Sequence, residues 1–458
     1  MVGRSSWKSA YMPRYMGWFL LSHGFNAVFY MLTFGSSVFV LWLADLGLSK
    51  DRIGFMLSLF PYCGLIAPFI TSAVTRFGLK RTYMVFYGAR KFVILLMLAA
   101  PWILQRFGAA VLFAYVAGVI FVFAMCRAIA ETAYYPWSRE FVPDAVRGRV
   151  AGMSNVVVSL TSAVAMLLAS AVLARGQGYG RYQFLIVIAS TLGVISVVAM
   201  LAVPKESPGS EGSSREAWTS MRQALRDRRF RGFLLSIAAS VLAVAGYPFI
   251  PLFARERLLV PDARVVLFDV AGTLGALVSS LYWGWAADRY GGKPLTLATL
   301  GVVGVLPWVW LILPPGGAVA LVGGLILASC YGAVSIGLNI GSFRWFLNGI
   351  VPMERRTAYT SIWYATSGLA GGTAPFVAGW LLRGLAGLDW RLGSLKVHAF
   401  TVLFGLTTAM AVLAAFLSHR VPGETDAGLR DYLRGLIVHD LPGALGRTLR
   451  PLRRRERF

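Results

Sequence analysis

The chain has 458 residues, 57% of them hydrophobic and 14% charged, with a mean hydropathy of +0.65. An ordinary soluble domain carries about 25% charged residues, so this excess of apolar side chain excludes a water-soluble globule, and the same figures exclude a disordered or fibrous chain. The net charge of +24, from 44 Lys and Arg against 20 acids, reads as basic loops facing an anionic membrane surface and not as a nucleic-acid site.

A helix needs about 20 mostly apolar residues to cross about 30 Å of hydrocarbon. Helices also satisfy every backbone polar group within one segment. Twelve spans are predicted, at 15–43, 53–75, 82–103, 109–137, 150–173, 183–203, 230–253, 265–287, 294–313, 318–343, 357–382 and 397–418. The first run is long and has no small-residue cleavage site after a short core, so it is read as a retained span. The fold class is all-α, a polytopic membrane protein. Cys63, Cys126 and Cys330 all lie in apolar runs and imply no disulfide framework.

Between spans six and seven lies PKESPGSEGSSREAWTSMRQALRDRR, Pro204 to Arg229. It is polar, rich in Ser and Gly, then basic, as a linker between halves would be. Its second part, Trp218 to Arg228, has the makings of a short surface helix. The chain divides into a first bundle at 1–203, a cytoplasmic linker at 204–228, a second bundle at 229–418 and a basic tail at 419–458. In the tail, Leu429, Tyr432, Leu433, Leu436 and Ile437 form one apolar helical face beside Arg430 and Arg434. That pattern suits a helix lying on anionic lipid of the inner leaflet. With both termini placed in the cytoplasm, the cytoplasmic segments carry 30 Lys and Arg and the opposite loops 11, which favours that orientation.

The two halves repeat. Arg76-Phe77-Gly78 after span two aligns with Arg289-Tyr290-Gly291 after span eight, and Val142-Pro143 after span four aligns with Val351-Pro352 after span ten. Gly78 and Gly291 permit a sharp reversal, and Arg76 and Arg289 suit the ends of helices. The loop GWAADRYGGKP carries Gly284, Asp288, Arg289, Gly291 and Lys293, and TRFGLKR carries Arg76, Gly78, Lys80 and Arg81. This pattern resembles the G-x-L-x-D-R-x-G-R-[KR] signature of the major facilitator superfamily, with the resemblance covering about residues 15–418. The first copy departs from it, with Thr75 where the family has Asp. The resemblance implies two pseudo-symmetric six-helix bundles, with these two loops acting as gating motifs. Asp288 is expected to pair across a loop in one conformation.

Charged groups inside spans are functional candidates because they are costly there unless paired. Arg127 and Glu131 stand at i and i+4 on span four and form a same-face pair. The resemblance implies that spans one, four, seven and ten line a central cavity, which puts this pair on the solute path with Glu131 as the protonation site. The third helix is peripheral in the family, so Arg90 and Lys91 are expected to snorkel to the inner surface. Asp269 is expected near the outer interface, in contact with water. His23, Asn26 and Tyr30 share one face of span one, for solute contact or interhelical bonding. Asn155, Tyr247, Asn339 and Tyr364 complete the substrate-binding candidates.

The expected function is secondary transport of a small organic solute by alternating access. Arg127 and His23 favour a solute with a carboxylate or phosphate. Proton coupling and uniport both stay open. No G-x-x-x-x-G-K-[ST] phosphate loop and no metal-spaced ligand set is present, so no catalytic residue, metal or cofactor is expected. The expected setting is a bacterial inner membrane, with the protein a monomer. The alternatives are a non-translocating receptor or scaffold of the same fold and a polytopic membrane enzyme; reconstituted flux separates them.

Overall fold

The computed structural model describes residues 15–142, 146–205, 221–352, 356–392, 395–425 and 428–438. Most of the expected linker and the last stretch of the tail, 439–458, lie outside the described residues.

The chain is a bundle of long helices. Among the described residues, nine stretches are long and apolar enough to cross a membrane, and the second span, bent by 58° between Lys50–Gly64 and Phe69–Phe77, makes a tenth. The 63-residue stretch Leu79–Phe141 holds two spans back to back, because Gly108 breaks it with a φ of 80°. Arg356–Gly384 completes the twelve. Span one is also broken, into Tyr15–Thr33 and Ser37–Asp45. The Ser36 hydroxyl accepts from Val38 N there and donates to Met31 O at 2.6 Å, satisfying groups the break leaves free. Span seven breaks at Tyr247–Phe249, where Pro248 and Pro251 interrupt the hydrogen-bond ladder, and resumes as Ile250–Glu256.

Within the first half, span one packs on spans five and six, and span three on span four. In the second half, span ten packs on spans eight and nine, and span seven on span twelve. The halves meet along two repeat-related seams, span two with span eleven and span five with span eight. The first seam is backbone-close: a Cβ on Gly54 would stand 2.3 Å from Pro375 O, and one on Gly379 would stand 2.4 Å from Lys50 O. Small residues permit such approach where lipid offers no hydrophobic drive.

The duplication is visible atom by atom. Gly78 and Gly291 have φ values of 97° and 86°, the left-handed region where a Cβ is strained. Lys80 Nζ donates to Leu201 O and Val203 O, and Lys293 Nζ to His419 O and Val421 O. The fully buried Trp137 donates from Nε1 to Pro204 O, and Trp345 to Pro422 O. In each half a loop lysine and a tryptophan thus close the C-terminal carbonyls of the last helix, groups that are expensive to leave bare at a bilayer edge.

Two features lie outside the span pattern. An antiparallel hairpin, Asp389–Leu392 with Leu395–His398, joins spans eleven and twelve, Trp390 pairing with Val397. His398 caps span twelve in a reciprocal box with Thr401, and burial pushes its imidazole pKa down. The tail forms the expected helix at Leu429–Val438. Part of its apolar face is spent on protein: Tyr432 is buried, its hydroxyl 3.1 Å from that of Tyr282 and its ring edge-on to Tyr290, and Leu429 packs against the same cluster. Leu433, on the same face, stays exposed.

Candidate functional site

A cavity of about 430 Å³ lies between the halves. The first half contributes Tyr30, Phe34, Phe60, Arg127 and Glu131, and the second Val241, Val244, Pro248, Ala374 and Pro375. Its position follows from the broken helices: Phe34 sits at the break of span one, Pro61 within span two and Pro248 at the break of span seven. Three aromatic rings and several prolines make the wall apolar. Arg127 and Glu131 are its charged groups. Arg127 Nε donates to Glu131 Oε1 at 2.7 Å, and both side chains remain partly exposed. The arrangement presents a guanidinium and a carboxylate to a solute of small-molecule size, with stacking surfaces around them.

The end of the bundle opposite the termini is sealed by charge. Asp45 and Arg181 of the first half meet Arg255 and Asp262 of the second in an alternating square. Arg181 Nη2 lies 2.7 Å from Asp45 and 3.0 Å from Asp262, Arg255 Nη1 lies 2.6 Å from Asp45, and Arg255 Nε lies 3.5 Å from Asp262. Tyr182 donates its hydroxyl to Asp45 at 2.8 Å. Lys50–Glu256 and Asp51–Arg383, both at 2.6 Å, flank the square and also cross between halves. Asp269 belongs to the same closure. The expectation of a solvated acid does not hold: it is only partly exposed, and its Oδ2 accepts from Ser37 N of the opposite half at 2.9 Å.

At the terminal end the ion pairs among described residues stay within a half. Asp288 pairs with Arg344 at the foot of span ten. Arg344 Nε also donates to Glu424 at 3.0 Å, and Glu424 accepts from Gly292 N at 2.6 Å, capping span nine. Arg289 lies over Trp285 and Tyr290, and Arg81 over Phe77. Arg76 is exposed, and Gly284 lies within the helix of span eight with room around it.

The remaining candidates separate. His23 bonds to Phe19 O at 3.0 Å and to the Tyr134 hydroxyl at 3.1 Å. Tyr247 is buried, donating to Val303 O at 3.0 Å and stacked on Tyr331 at 3.7 Å. Asn339 is exposed and bonds to Ser335 O in its own helix at 2.9 Å. Asn155 and Tyr364 are exposed. None of these five lines the 430 Å³ cavity. Asn26 accepts from Arg90 and Lys91, and this overturns the snorkelling expectation: Lys91 is 0% exposed and Arg90 8%. Gly193 of span six explains the difference, since its missing Cβ leaves the space that the Lys91 stem fills.

Sequence reasoning missed the outer square and Glu424. The square joins residues far apart in sequence, with no local pattern. Glu424 did have a signal: Val203-Pro204 and Val421-Pro422 are a third pair of repeated landmarks.

The fold and cavity define a twelve-helix membrane protein of two repeated bundles. The chain belongs to the Major Facilitator Superfamily, whose family model matches residues 19–344. It is 28% identical over 268 residues to the gentisate transporter of Corynebacterium glutamicum, a match covering 56% of each protein, so the chain spans about half the length of that curated relative. Among solved structures it resembles the nucleoside transporter NupG, with a TM-score of 0.66 at 14% identity over 89% of this chain and 99% of that one. It also resembles the D-xylose-proton symporter, with a TM-score of 0.67 at 15% identity over 90% of this chain and 99% of that one. Both structural likenesses concern the fold.

Proposed function

We propose that this chain is a secondary active permease that carries a small organic solute across the membrane by alternating access. The observation that carries this reading is the cavity itself: both halves build it, and ion pairs between the halves close one end of it. A shared site with a breakable seal is what a rocking carrier requires. The bundles are 1–203 and 229–418, joined by a linker at 204–228. The termini are cytoplasmic, on the Lys and Arg distribution, so the closed end faces outward and this conformation is inward-facing. The setting is a bacterial inner membrane, the protein is a monomer, and the basic tail at 419–458 meets anionic lipid.

Within the cavity Arg127 and Glu131 serve solute and proton. A proton on Glu131 frees the Arg127 guanidinium for a carboxylate or phosphate on the solute, and proton loss restores the pair. Tyr30 supplies a ring and hydroxyl beside them. The name of the gentisate transporter is consistent with an organic acid as cargo. The loop motifs Arg76, Gly78, Lys80 and Arg81, and Gly284, Asp288, Arg289, Gly291 and Lys293, govern the inner gate, in which Asp288 trades its Arg344 pairing when the inner ends approach. His23, Asn155, Tyr247, Asn339 and Tyr364 contact solute in other conformations of the cycle.

A thermal-shift screen of the purified protein against a metabolite library, followed by flux in vesicles with an imposed pH gradient, tests the reading. Saturable, solute-specific flux that follows the gradient is the expected result. A ligand that binds but is never carried would favour the receptor alternative.

A further inference from the structure

Arg90 and Lys91 on span three are buried in the first half without a carboxylate. Among the described residues, neither joins an ion pair with an acid. Their shared partner is the side-chain carbonyl of Asn26, which accepts from Arg90 Nη2 at 2.9 Å and from Lys91 Nζ at 2.7 Å. Aromatic faces complete the cover of Lys91, with its ammonium 3.5 Å from the Phe29 ring centre and 4.5 Å from that of Tyr87. Arg90 lies 4.6 Å from the Tyr87 ring centre, and its Nε is buried with no hydrogen-bond partner. The place is built for these chains: a Cβ on Gly193 would stand 2.8 Å from Lys91 Cδ.

One amide oxygen does not neutralise two cations. Uncompensated charge in a membrane interior is costly until a counter-ion reaches it. The Arg127–Glu131 pair is neutral as a unit, so the surplus positive charge rests first on Arg90, whose guanidinium keeps its proton, with Lys91 beside it. A guanidinium takes a carboxylate through parallel N–H groups along one edge. On the Nε–Nη2 edge of Arg90, Nη2 holds Asn26 and Nε holds nothing. Asn26 is one helical turn from Tyr30, whose side chain lines the cavity.

We infer that Asn26, Arg90 and Lys91 form a second anion-binding pole of the transport site, in addition to Arg127, and that a carboxylate of the solute is held there by the Nε–Nη2 edge of Arg90 and by the Lys91 side chain. This rests on the transport reading above. Asn26 is the placeholder: its oxygen holds both cations in the empty site and yields Arg90 when the carboxylate arrives.

The test uses the full-length protein in lipid nanodiscs, with benzoate as probe because a planar acid suits the rings of Tyr30, Phe34 and Phe60. Sodium benzoate is titrated against the neutral isostere benzamide at constant ionic strength, with thermal unfolding as readout. Benzoate is expected to raise the midpoint saturably and benzamide to leave it unmoved. Arg90→Lys keeps the charge but loses the fork, and it should weaken benzoate by about tenfold or more. Asn26→Asp gives the cations a fixed carboxylate, so it should raise the midpoint of the empty protein and abolish the benzoate response. A purely structural cluster would gain the stability and keep the response. The inference is overturned by no response to benzoate in the wild type, by an equal response to benzamide, or by wild-type benzoate affinity in either variant. Flux in vesicles separates the two readings. Arg90-dependent benzoate binding without flux sinks the transport reading and leaves the pole standing, whereas carrier-mediated flux that Arg90→Lys does not alter does the reverse.

Discussion

At the scale of single residues, Arg127 and Glu131 combine charge with access. Their 2.7 Å contact is made on a cavity wall and not in sealed protein, so both partners are open to what enters the cavity. Glu131→Gln removes the carboxylate and keeps the shape. Uptake driven by a pH gradient should fall by about tenfold, equivalent to ~1.4 kcal/mol of lost coupling, while solute exchange between equal-pH compartments persists. Unchanged gradient-driven accumulation in vesicles would remove Glu131 as the proton carrier. The i,i+4 spacing made this pair legible in the sequence. The company kept by Asn26 was not, because spans one and three are joined by space and not by periodicity. The same holds for Gly193, whose role shows only once the Lys91 stem lies across it.

At the scale of elements, loops and helix ends carry the testable chemistry. Gly78 and Gly291 both hold a positive φ, and a Cβ on Gly291 would also stand 2.7 Å from Thr425 Oγ1. Either Gly→Ala change should cost about 1 kcal/mol in backbone strain, and Gly291→Ala more for the crowding at Thr425, as read from detergent-solubilised melting temperatures. The His398 cap makes a pH prediction. Burial holds its pKa below the ordinary value, so the unfolded chain binds the proton more readily than the folded one. The stability tied to this group is complete above the ordinary histidine pKa of about 6.5 and is lost as pH falls through the lower folded value. His398→Asn replaces the imidazole nitrogen with another capping acceptor that does not titrate, so its melting temperature should decline less than wild type between about pH 7 and pH 5. Parallel decline in both proteins would assign the acid sensitivity elsewhere. The twelve spans and the tail helix could be placed from hydropathy and the 3.6-residue repeat. The hairpin before span twelve could not, since its four-residue strands carry too little pattern to stand apart from a loop.

At the scale of the whole molecule, two copies of a six-helix unit lean together at one end and enclose a chamber between them. The repeated loops revealed the duplication in the sequence, but which end is shut depends on Asp45, Arg181, Arg255 and Asp262, four charges from four helix ends. Pairs at such partly exposed sites are worth about 0.2–1 kcal/mol each. Removing both acids should thus shift a closed-to-open equilibrium several-fold without unfolding either bundle. The most direct measurement is double electron–electron resonance on a background with the three native cysteines replaced by alanine. One label pair sits at the terminal end, at exposed positions Arg139 and Asn348, and one at the opposite end, at Arg106 and Trp390. In the Asp45→Asn, Asp262→Asn variant, a rocking carrier shows the Arg106–Trp390 distance lengthening as the Arg139–Asn348 distance shortens. Distances that stay fixed, or that lengthen together at both ends, would contradict alternating access.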